Sequence, residues 1–363
     1  MKIAVLVSGG VDSAVALSLL KAQGHEVTAF YLKIWLEDEL SYLGSCPWEE
    51  DLSYVQATCA QLAVPLEVVS MQREYHDQVV SYTLAQIKAG FTPNPDIMCN
   101  ARIKFGLFLK TLDERLEHFD KVASGHYAQV EEKGGRFYLK QSPDPIKDQT
   151  YFLSHLNQAQ LSRVLFPIGH LEKSQVRALA HKANLPNKDR KDSQGICFLG
   201  KFKFNDFLRH HLGQKPGPLV EYETGKKLGE HQGFWFHTIG QRQGSGLSGG
   251  PWYVVAKEPQ TNTVFMSKNY YSADKNRDAF WIAACNWLTD APTKNNLLLK
   301  VRHGKVFHEC TLLLDCDAKG GKVHLASHDQ GLAAGQFAVF YYGAYCLGAG
   351  MITDACTGSF KKE

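Results

Sequence analysis

A glycine-rich junction close to the start of the chain constrains the fold more than any other feature. Lys2–Val7 predicts a buried strand, and a helical pattern begins at Asp12. Between them, Ser8-Gly9-Gly10-Val11-Asp12-Ser13 combines glycines, two serine hydroxyls and a helix N-terminus. Backbone N–H groups and the helix dipole both favour an anion at such a place. Because no Walker-type Gly-Lys-Ser/Thr follows, the junction predicts a phosphate loop of another kind.

Short apolar runs alternate with helical patterns over about the first 200 residues. This alternation predicts an α/β fold with a doubly wound parallel sheet. Its ligand should lie at the carboxyl ends of the strands, where the strand order reverses. The predicted strands are Lys2–Val7, Val27–Trp35, Leu66–Met71 and Lys121–Ser124, and the predicted helices are Asp12–Gln23, Glu49–Leu62, Arg73–Lys88 and Ile103–Glu117.

The rest of the 363-residue chain has the pattern of an all-β protein. Hairpins are predicted at 220–228 and 252–267, and evenly spaced short strands beyond residue 278 predict an antiparallel β-barrel. We therefore predict an α/β domain with the phosphate loop at 1–205, a small central domain at 206–275 and a C-terminal β-barrel at 276–363. The predicted barrel strands are Leu297–Arg302, Glu309–Asp315, Lys322–Ala326, Phe337–Tyr342 and Cys346–Met351.

Charge excludes a strong global field but leaves a nucleic-acid partner open. The 40 Lys and Arg residues against 37 Asp and Glu residues give a formal net charge of +3. Their distribution is uneven, because 34–72 holds seven acids and no Lys or Arg, whereas bases outnumber acids across 182–227. A local basic surface of this kind predicts salt-sensitive RNA binding.

Nine cysteines without a Cys-x-x-Cys pair argue against a zinc ribbon or typical iron–sulfur ligation. The chain shows no signal peptide and no spanning apolar run, so we predict a cytoplasmic protein with reduced thiols and no membrane contact. Most of its thiols should be packing residues, Cys310 and Cys316 among them. The cysteines without an assigned role are Cys46, Cys59, Cys285, Cys310, Cys316, Cys346 and Cys356.

Two cysteines stand in loops that suggest thiol chemistry. Cys99 follows a loop with two prolines and precedes a predicted helix, with Arg102 and Lys104 close by. A helix N-terminus and neighbouring bases lower a thiol pKa, so a thiolate is expected there, and Asp96 could exchange a proton with it. Cys197 follows a basic, glycine-containing loop that predicts a partly exposed thiol.

Seven strings, taken together and in order, resemble the bacterial tRNA-specific 2-thiouridylases, members of the PP-loop ATP pyrophosphatase superfamily. The resemblance runs from residue 1 to about residue 355. It implies the three domains given above and sulfur insertion at carbon 2 of the wobble uridine of tRNA. The strings are SGGVDS, TPNPDIMCN, SGHYA, KDQTYFL, KDSQGICF, GEHQGFWFHTIGQRQG and GQFAVFYYG.

The resemblance also implies roles for individual residues. Cys197 would receive a persulfide, Cys99 would act as the nucleophile that frees the sulfur and ends in a disulfide with Cys197, and Asp96 would act as acid and base beside the uridine. Residues implied to contact ATP are Leu6, Val7, Ser8, Gly9, Gly10, Val11, Asp12, Ser13, Leu32 and Gly125. Residues implied to contact tRNA are Asn94, Pro95, Asp96, His126, Lys147, Asp148, Gln149, Arg302, His303 and Gln336.

The implied co-substrate is ATP, which would adenylate the uridine O2 so that AMP can leave. Mg²⁺ is expected with the pyrophosphate, and Asp12 could help to hold it. The implied partners are tRNAs for Lys, Glu and Gln and a persulfide-donating carrier or cysteine desulfurase. On the residues alone, three of these positions also fit a structural role. Leu32 could be a core residue, His126 could be a structural histidine at a strand end, and Arg302 could lie on a solvated face of a barrel strand.

Three other hypotheses about the function stay open at this point. Another PP-loop ligase would use the phosphate loop but leave both cysteine loops without a purpose. A thiolating enzyme with an iron–sulfur cluster would need the cysteine pairs that the chain lacks. A non-catalytic RNA-binding module would need neither the intact phosphate loop nor the thiols.

Overall fold

The computed structural model describes residues 1–34, 47–116, 118–192, 203–244 and 246–357, without the side chains of residues 47 and 355–357. Cys46, Cys197 and the side chain of Cys356 therefore lie outside the described residues. Within the described part, no helix is both long enough and apolar enough to cross a bilayer.

The N-terminal region forms a parallel sheet whose strand order is β3-β2-β1-β4-β7 in the described chain. The predicted doubly wound α/β fold is thereby confirmed. Because β2 and β4 flank β1, the strand order reverses between β1 and β4, and the loops after these two strands meet there. The strands are β1 (Lys2–Leu6), β2 (Glu26–Lys33), β3 (Leu66–Ser70), β4 (Lys121–Ala123) and β7 (Val164–Leu165).

Helices cover the sheet, and two of the long ones contain π-helical stretches. The helix predicted from Ile103 begins eight residues earlier, because Asn94 caps it by accepting from the Ile97 N–H and Pro95 occupies its first position. The helices are α1 (Val11–Ala22), α2 (Pro47–Leu62), α3 (Gln72–Tyr75), α4 (Ser81–Lys88), α5 (Pro95–Met98), α6 (Phe108–Asp113), α7 (Gln158–Arg163), α8 (Lys173–Lys182) and α9 (Phe204–Leu212). The π-helical stretches are His76–Val80, between α3 and α4, and Cys99–Leu107, between α5 and α6.

A second sheet in the described chain has the order β10-β11-β8-β9 and contains both predicted hairpins of the central region. Its apolar face buries Leu219, Phe234, Trp252 and neighbouring residues in a small core of its own. The strands are β8 (Gly217–Glu221), β9 (Lys227–His231), β10 (Tyr253–Glu258) and β11 (Thr263–Ser267).

The C-terminal strands close into the predicted antiparallel barrel. The described order is β12-β15-β14-β13-β16-β17, and pairing of β12 with β17 completes the cylinder. Sequence reasoning missed β12, and it extended β13 to Arg302, which lies in the bend beyond that strand. The barrel strands are β12 (Arg277–Trp287), β13 (Asn296–Lys300), β14 (His308–Leu314), β15 (Gly321–Leu325), β16 (Phe337–Tyr342) and β17 (Tyr345–Thr357).

A hairpin from the N-terminal region joins the barrel sheet, which was not predicted. It consists of β5 (Ala128–Lys133) and β6 (Arg136–Gln141), and Tyr345 and Cys346 of β17 pair with β6. The barrel is therefore attached to the nucleotide-binding region by backbone hydrogen bonds as well as by side chains.

Candidate active site

The phosphate loop lies where the sheet topology requires, between the end of β1 and the start of α1. Gly9 has φ +74°, which a residue with a side chain adopts only with strain. The Ser13 hydroxyl donates to the Gly10 carbonyl at 3.0 Å and accepts from the Ser8 N–H at 3.2 Å. Gly10 caps α1 without a side-chain hydrogen bond, so the first N–H groups of α1 remain available for an anion.

Gly125 explains why the loop after β4 can approach the phosphate loop so closely. A Cβ atom at this position would lie 2.7 Å from the Asp12 carbonyl carbon and 2.7 Å from the Ser13 nitrogen. Only glycine allows this approach, which brings together two segments predicted to bind ATP. Leu32, the third predicted segment, lies half-buried on β2 beside Val69 of β3 and packs against the main core.

Asp12 belongs to an ion-pair network that sequence reasoning did not find. The Lys173 ammonium lies 2.7 and 2.9 Å from the two Asp12 oxygens, and the Tyr127 hydroxyl donates to Asp12 at 2.8 Å. The same ammonium lies 2.7 Å from Asp192, which also pairs with Lys147 at 2.5 Å. The strings SGHYA, KDQTYFL and KDSQGICF contained three of these residues, but nothing in the sequence pointed to Lys173.

The described residues fit a metal ion held by a bound nucleotide better than one held by the protein. No group of three or more His, Cys, Asp or Glu side chains in the described part could hold a metal ion. The predicted ligand Asp12 is engaged by Lys173 and Tyr127. Mg²⁺ commonly binds through one or two carboxylates, substrate phosphates and water, and Asp12 could supply only the first of these.

Cys99 is buried, and the expected low thiol pKa is wrong for this structure. The residue is 1% exposed and begins the π-helical stretch after α5, one turn inside the helix. Burial raises the pKa of the Cys99 thiol to about 11, the Asp96 carboxylate adds to the rise, and Lys104 and a hydrogen bond from Tyr75 oppose it. Arg102 points elsewhere, donating to the Gln78 carbonyl at 2.9 Å.

Asp96 has an unusual environment for a carboxylate. Its Oδ1 atom is buried and has no hydrogen-bond partner among the described residues. A buried acceptor without a partner is costly, so such a group often marks a functional position. Asp96 therefore has an oxygen available for a substrate proton next to the Cys99 thiol.

The loop carrying Asn94 and Pro95 is held against the barrel. The Thr92 N–H donates to the Ala334 carbonyl at 2.7 Å, and a Cβ at Gly335 would lie 2.6 Å from that of Phe91. Gln336 directly follows this contact, so the structure brings it beside the loop of Asn94. These residues, predicted to contact tRNA, come from chain segments more than 200 residues apart.

A buried ion pair joins two other segments predicted to contact tRNA. Asp148 and Lys300 are 2% and 1% exposed, and their charged groups lie 3.0 Å apart. The His303 ring bonds to the Asp148 carbonyl at 3.1 Å and stacks on Phe152. The Asp148 side chain is therefore enclosed, and its segment is fixed to the barrel.

The remaining predicted tRNA residues have partners within the protein. Gln149 accepts from the Tyr127 N–H at 3.0 Å, and the His126 ring bonds to the Ser124 hydroxyl at 2.7 Å. Burial and the Lys104 charge hold the pKa of His126 well below its usual value, so its ring is neutral. Arg302 is half-exposed and pairs with Asp329.

The thiols without an assigned role divide as expected, with one correction. Cys59, Cys310 and Cys346 are buried and Cys285 is half-buried. Burial raises the pKa of Cys59 to about 11 and that of Cys310 to about 12. Cys316 is exposed just past the end of β14, so its prediction as a packing residue is wrong.

A parallel sheet with a glycine-rich phosphate loop at its switch point is typical of the α/β class of nucleotide-binding proteins. Family models match almost the whole chain: a tRNA methyl transferase HUP domain at 1–201, a tRNA methyl transferase PRC-barrel domain at 205–268 and an aminomethyltransferase β-barrel domain at 277–352.

Curated relatives match over nearly their full length. Proteins named tRNA-specific 2-thiouridylase MnmA from Parabacteroides distasonis and Porphyromonas gingivalis are each 44% identical, covering 98% and 97% of this chain and 99% of their own. A protein of the same name, numbered 2, from Bacteroides fragilis is 45% identical over 97% of this chain and 100% of its own. The chain therefore belongs to the tRNA-specific 2-thiouridylase family.

Proposed function

We propose that this enzyme replaces the C2 oxygen of the wobble uridine of tRNA with sulfur, at the expense of ATP. The observation that carries the proposal is the phosphate loop at the sheet's switch point, backed by Gly125, in a chain of this family. Methyl transfer, which the family-model descriptions mention, gives no reason for such a loop. A thiolation does, because a carbonyl oxygen leaves poorly unless it is first activated.

Activation would proceed by attack of the uridine O2 on the α-phosphorus of ATP. Pyrophosphate leaves, and the base carries AMP on its O2. Ser8, Ser13 and the N–H groups at the start of α1 would hold the phosphates. Mg²⁺ would enter with the nucleotide and reduce the negative charge on the departing pyrophosphate. The phosphate loop would orient the α-phosphorus toward the base.

Sulfur delivery would use the two cysteines of the sequence prediction. Cys197 would carry a persulfide whose terminal sulfur replaces the O2–AMP group at C2, leaving a disulfide between Cys197 and Cys99. Either Cys99 first frees the sulfur as sulfide, or the persulfide attacks directly and Cys99 resolves the intermediate; both routes give the same products. A reductant then restores the two thiols.

The buried state of Cys99 sets a condition on that chemistry. A thiol with a pKa near 11 is almost entirely protonated at neutral pH, so it must lose its proton when the substrate arrives. Asp96, with one buried oxygen free of partners in the described chain, is the base we propose for this transfer.

We propose that tRNA lies across the junction of the catalytic region and the barrel. Asn94, Pro95 and Gln336 would contact the tRNA at this junction, and His126, Lys147, Gln149, Arg302 and His303 would complete the proposed surface. The enclosed Asp148 would contribute by holding its segment in place against the barrel. The proposed substrates are the tRNAs for Lys, Glu and Gln, and the proposed sulfur donor is a persulfide carrier or cysteine desulfurase. The domain boundaries 1–205, 206–275 and 276–363 also stay proposals.

Incubation with ATP, Mg²⁺, a cysteine desulfurase with cysteine, and unmodified tRNA tests the function. Digestion and mass spectrometry should detect 2-thiouridine, and Cys197→Ser should abolish it while the exposed-thiol control Cys316→Ser retains it. Amidation of a substrate without any 2-thiouridine would instead identify another PP-loop ligase. Full activity of Cys197→Ser would overturn the persulfide assignment.

A further inference from the structure

The described segment at 187–192 is fastened to the phosphate loop at three points. The Asn187 side-chain amide donates to the Gly9 carbonyl at 2.8 Å. Arg190 pairs with Asp51 of α2, and its guanidinium would lie 2.9 Å from a Cβ at Gly9. Asp192 reaches Asp12 through Lys173, whose ammonium touches both carboxylates. The end of this segment is therefore linked by side-chain contacts to the loop proposed to bind ATP.

Among Asn187, Arg190 and Asp192, it is Asp192 that makes the most ionic contacts in the described part of the chain. Its carboxylate contacts Lys173 at 2.7 Å and both Lys147 and Arg177 at 2.5 Å. Arg177 in turn donates to the carbonyls of Lys188 and Arg190, which fixes the backbone leading to Asp192. Partial burial raises the pKa of Asp192, but the hydrogen bonds and charges of Lys147 and Lys173 outweigh it and hold that pKa well below its usual range, so the carboxylate is ionised throughout the neutral pH range.

Lys173 is shared between two acids, and this sharing links the two ends of the network. It is only 14% exposed, so water screens its charge weakly. A metal ion that arrives with the nucleotide and coordinates Asp12 would compete with Lys173 for that carboxylate and leave the ammonium with Asp192 alone. Filling of the phosphate loop would therefore strengthen the ion pair between Lys173 and Asp192.

Cys197 follows Asp192 by five residues in the sequence. Five residues span at most about 18 Å, so the position of Asp192 sets an upper limit on the distance between its backbone and that of Cys197. We propose that Asp192 is a positioning residue that couples ATP binding at Asp12 to sulfur delivery by Cys197. The proposal rests on the proposed function, since it presumes an adenylated uridine and a persulfide.

Loss of this coupling has a definite chemical consequence. When sulfur fails to reach the adenylated base, water attacks C2, its oxygen becomes the new O2, and AMP leaves with the original one. The uridine is restored, and one ATP has become AMP and pyrophosphate without a thiolation. An uncoupled enzyme therefore releases AMP in excess over 2-thiouridine.

Asp192→Asn tests this coupling, with Asp189→Asn as the matched control. Asp189 carries the same charge three residues earlier, but it is exposed, and it makes a longer ionic contact of 3.5 Å with His181. AMP and 2-thiouridine are measured together, using ATP, tRNA and a cysteine desulfurase with cysteine. We expect Asp192→Asn to raise the AMP to 2-thiouridine ratio about tenfold, with AMP release within about threefold of the native rate. Asp189→Asn should keep the native ratio.

Asp192→Glu keeps the charge one methylene further out, and it should give an intermediate ratio if Asp192 acts through these ion pairs. A parallel fall of both products in Asp192→Asn and Asp192→Glu, or an unchanged ratio in both, would overturn the coupling proposal. Absence of 2-thiouridine from the native protein would instead refute the proposed function.

Discussion

Two alanine substitutions separate backbone strain from crowding at the phosphate loop. Gly9 and Gly24 have nearly the same φ, +74° and +78°. A Cβ at Gly9 would lie 2.6 Å from the Asp51 carbonyl oxygen and 2.9 Å from the Arg190 guanidinium, whereas a Cβ at Gly24 meets nothing within 4 Å. Both variants carry the cost of a left-handed residue with a side chain, about 1–2 kcal/mol. Only Gly9→Ala adds a clash with backbone, worth about 1–3 kcal/mol.

We therefore expect Gly9→Ala to lower the free energy of unfolding by about 2–5 kcal/mol and Gly24→Ala by about 1–2 kcal/mol. If about 2–3 kcal/mol of misfit is felt by the bound phosphates, kcat/KM for ATP falls about 30- to 150-fold in Gly9→Ala alone. Urea denaturation gives the first quantity, and AMP release over a range of ATP concentrations gives the second. Equal stabilities and equal ATP use in the two variants would refute this account of the loop.

Three further predictions follow from the burial of a thiol and from two ion pairs. Iodoacetamide should modify Cys316 rapidly at pH 7.5, whereas Cys99 should react slowly and faster as the pH rises toward 11; peptide mass spectrometry that finds Cys99 modified first would contradict its burial. Asp148→Asn leaves Lys300 buried without a counter-charge and should lower the free energy of unfolding by about 3–5 kcal/mol, and adding Lys300→Met should recover part of that loss in urea titrations. Because folding lowers the pKa of Asp192, its contribution to stability is fully present above its unfolded pKa of about 3.9 and is lost as the pH falls below that value toward the folded pKa, so Asp192→Asn should show a shallower decline in stability below about pH 5.

Local sequence patterns sufficed for the phosphate loop and most strands. The strand, glycines and helix around Gly9 and Gly10 lie within a few residues of one another, so periodicity and glycine content reveal them. Asn94 and Pro95 form an equally local start signal for a helix, but the two prolines of that segment also favour a loop. Because this helix start was missed, Cys99 was predicted at a helix N-terminus, whereas in the structure it lies one turn further into the helix.

Long-range contacts account for what the sequence did not show. The β5–β6 hairpin is completed by β17, whose Tyr345 pairs with Lys140, and no local pattern indicates that partner. Lys173 lies 161 positions from Asp12, and only the folded chain brings the two together. The low pKa expected for Cys99 followed from neighbouring bases in the sequence, but burial outweighs them.

Isotope transfer from the tRNA to AMP tests whether ATP activates the uridine O2. A tRNA carrying ¹⁸O at O2 of the wobble uridine is thiolated with ATP, Mg²⁺ and a cysteine desulfurase with cysteine, and the released AMP is analysed by mass spectrometry. Adenylation predicts one ¹⁸O atom in each AMP, in an amount equal to the 2-thiouridine formed. Unlabelled AMP alongside 2-thiouridine would contradict the account.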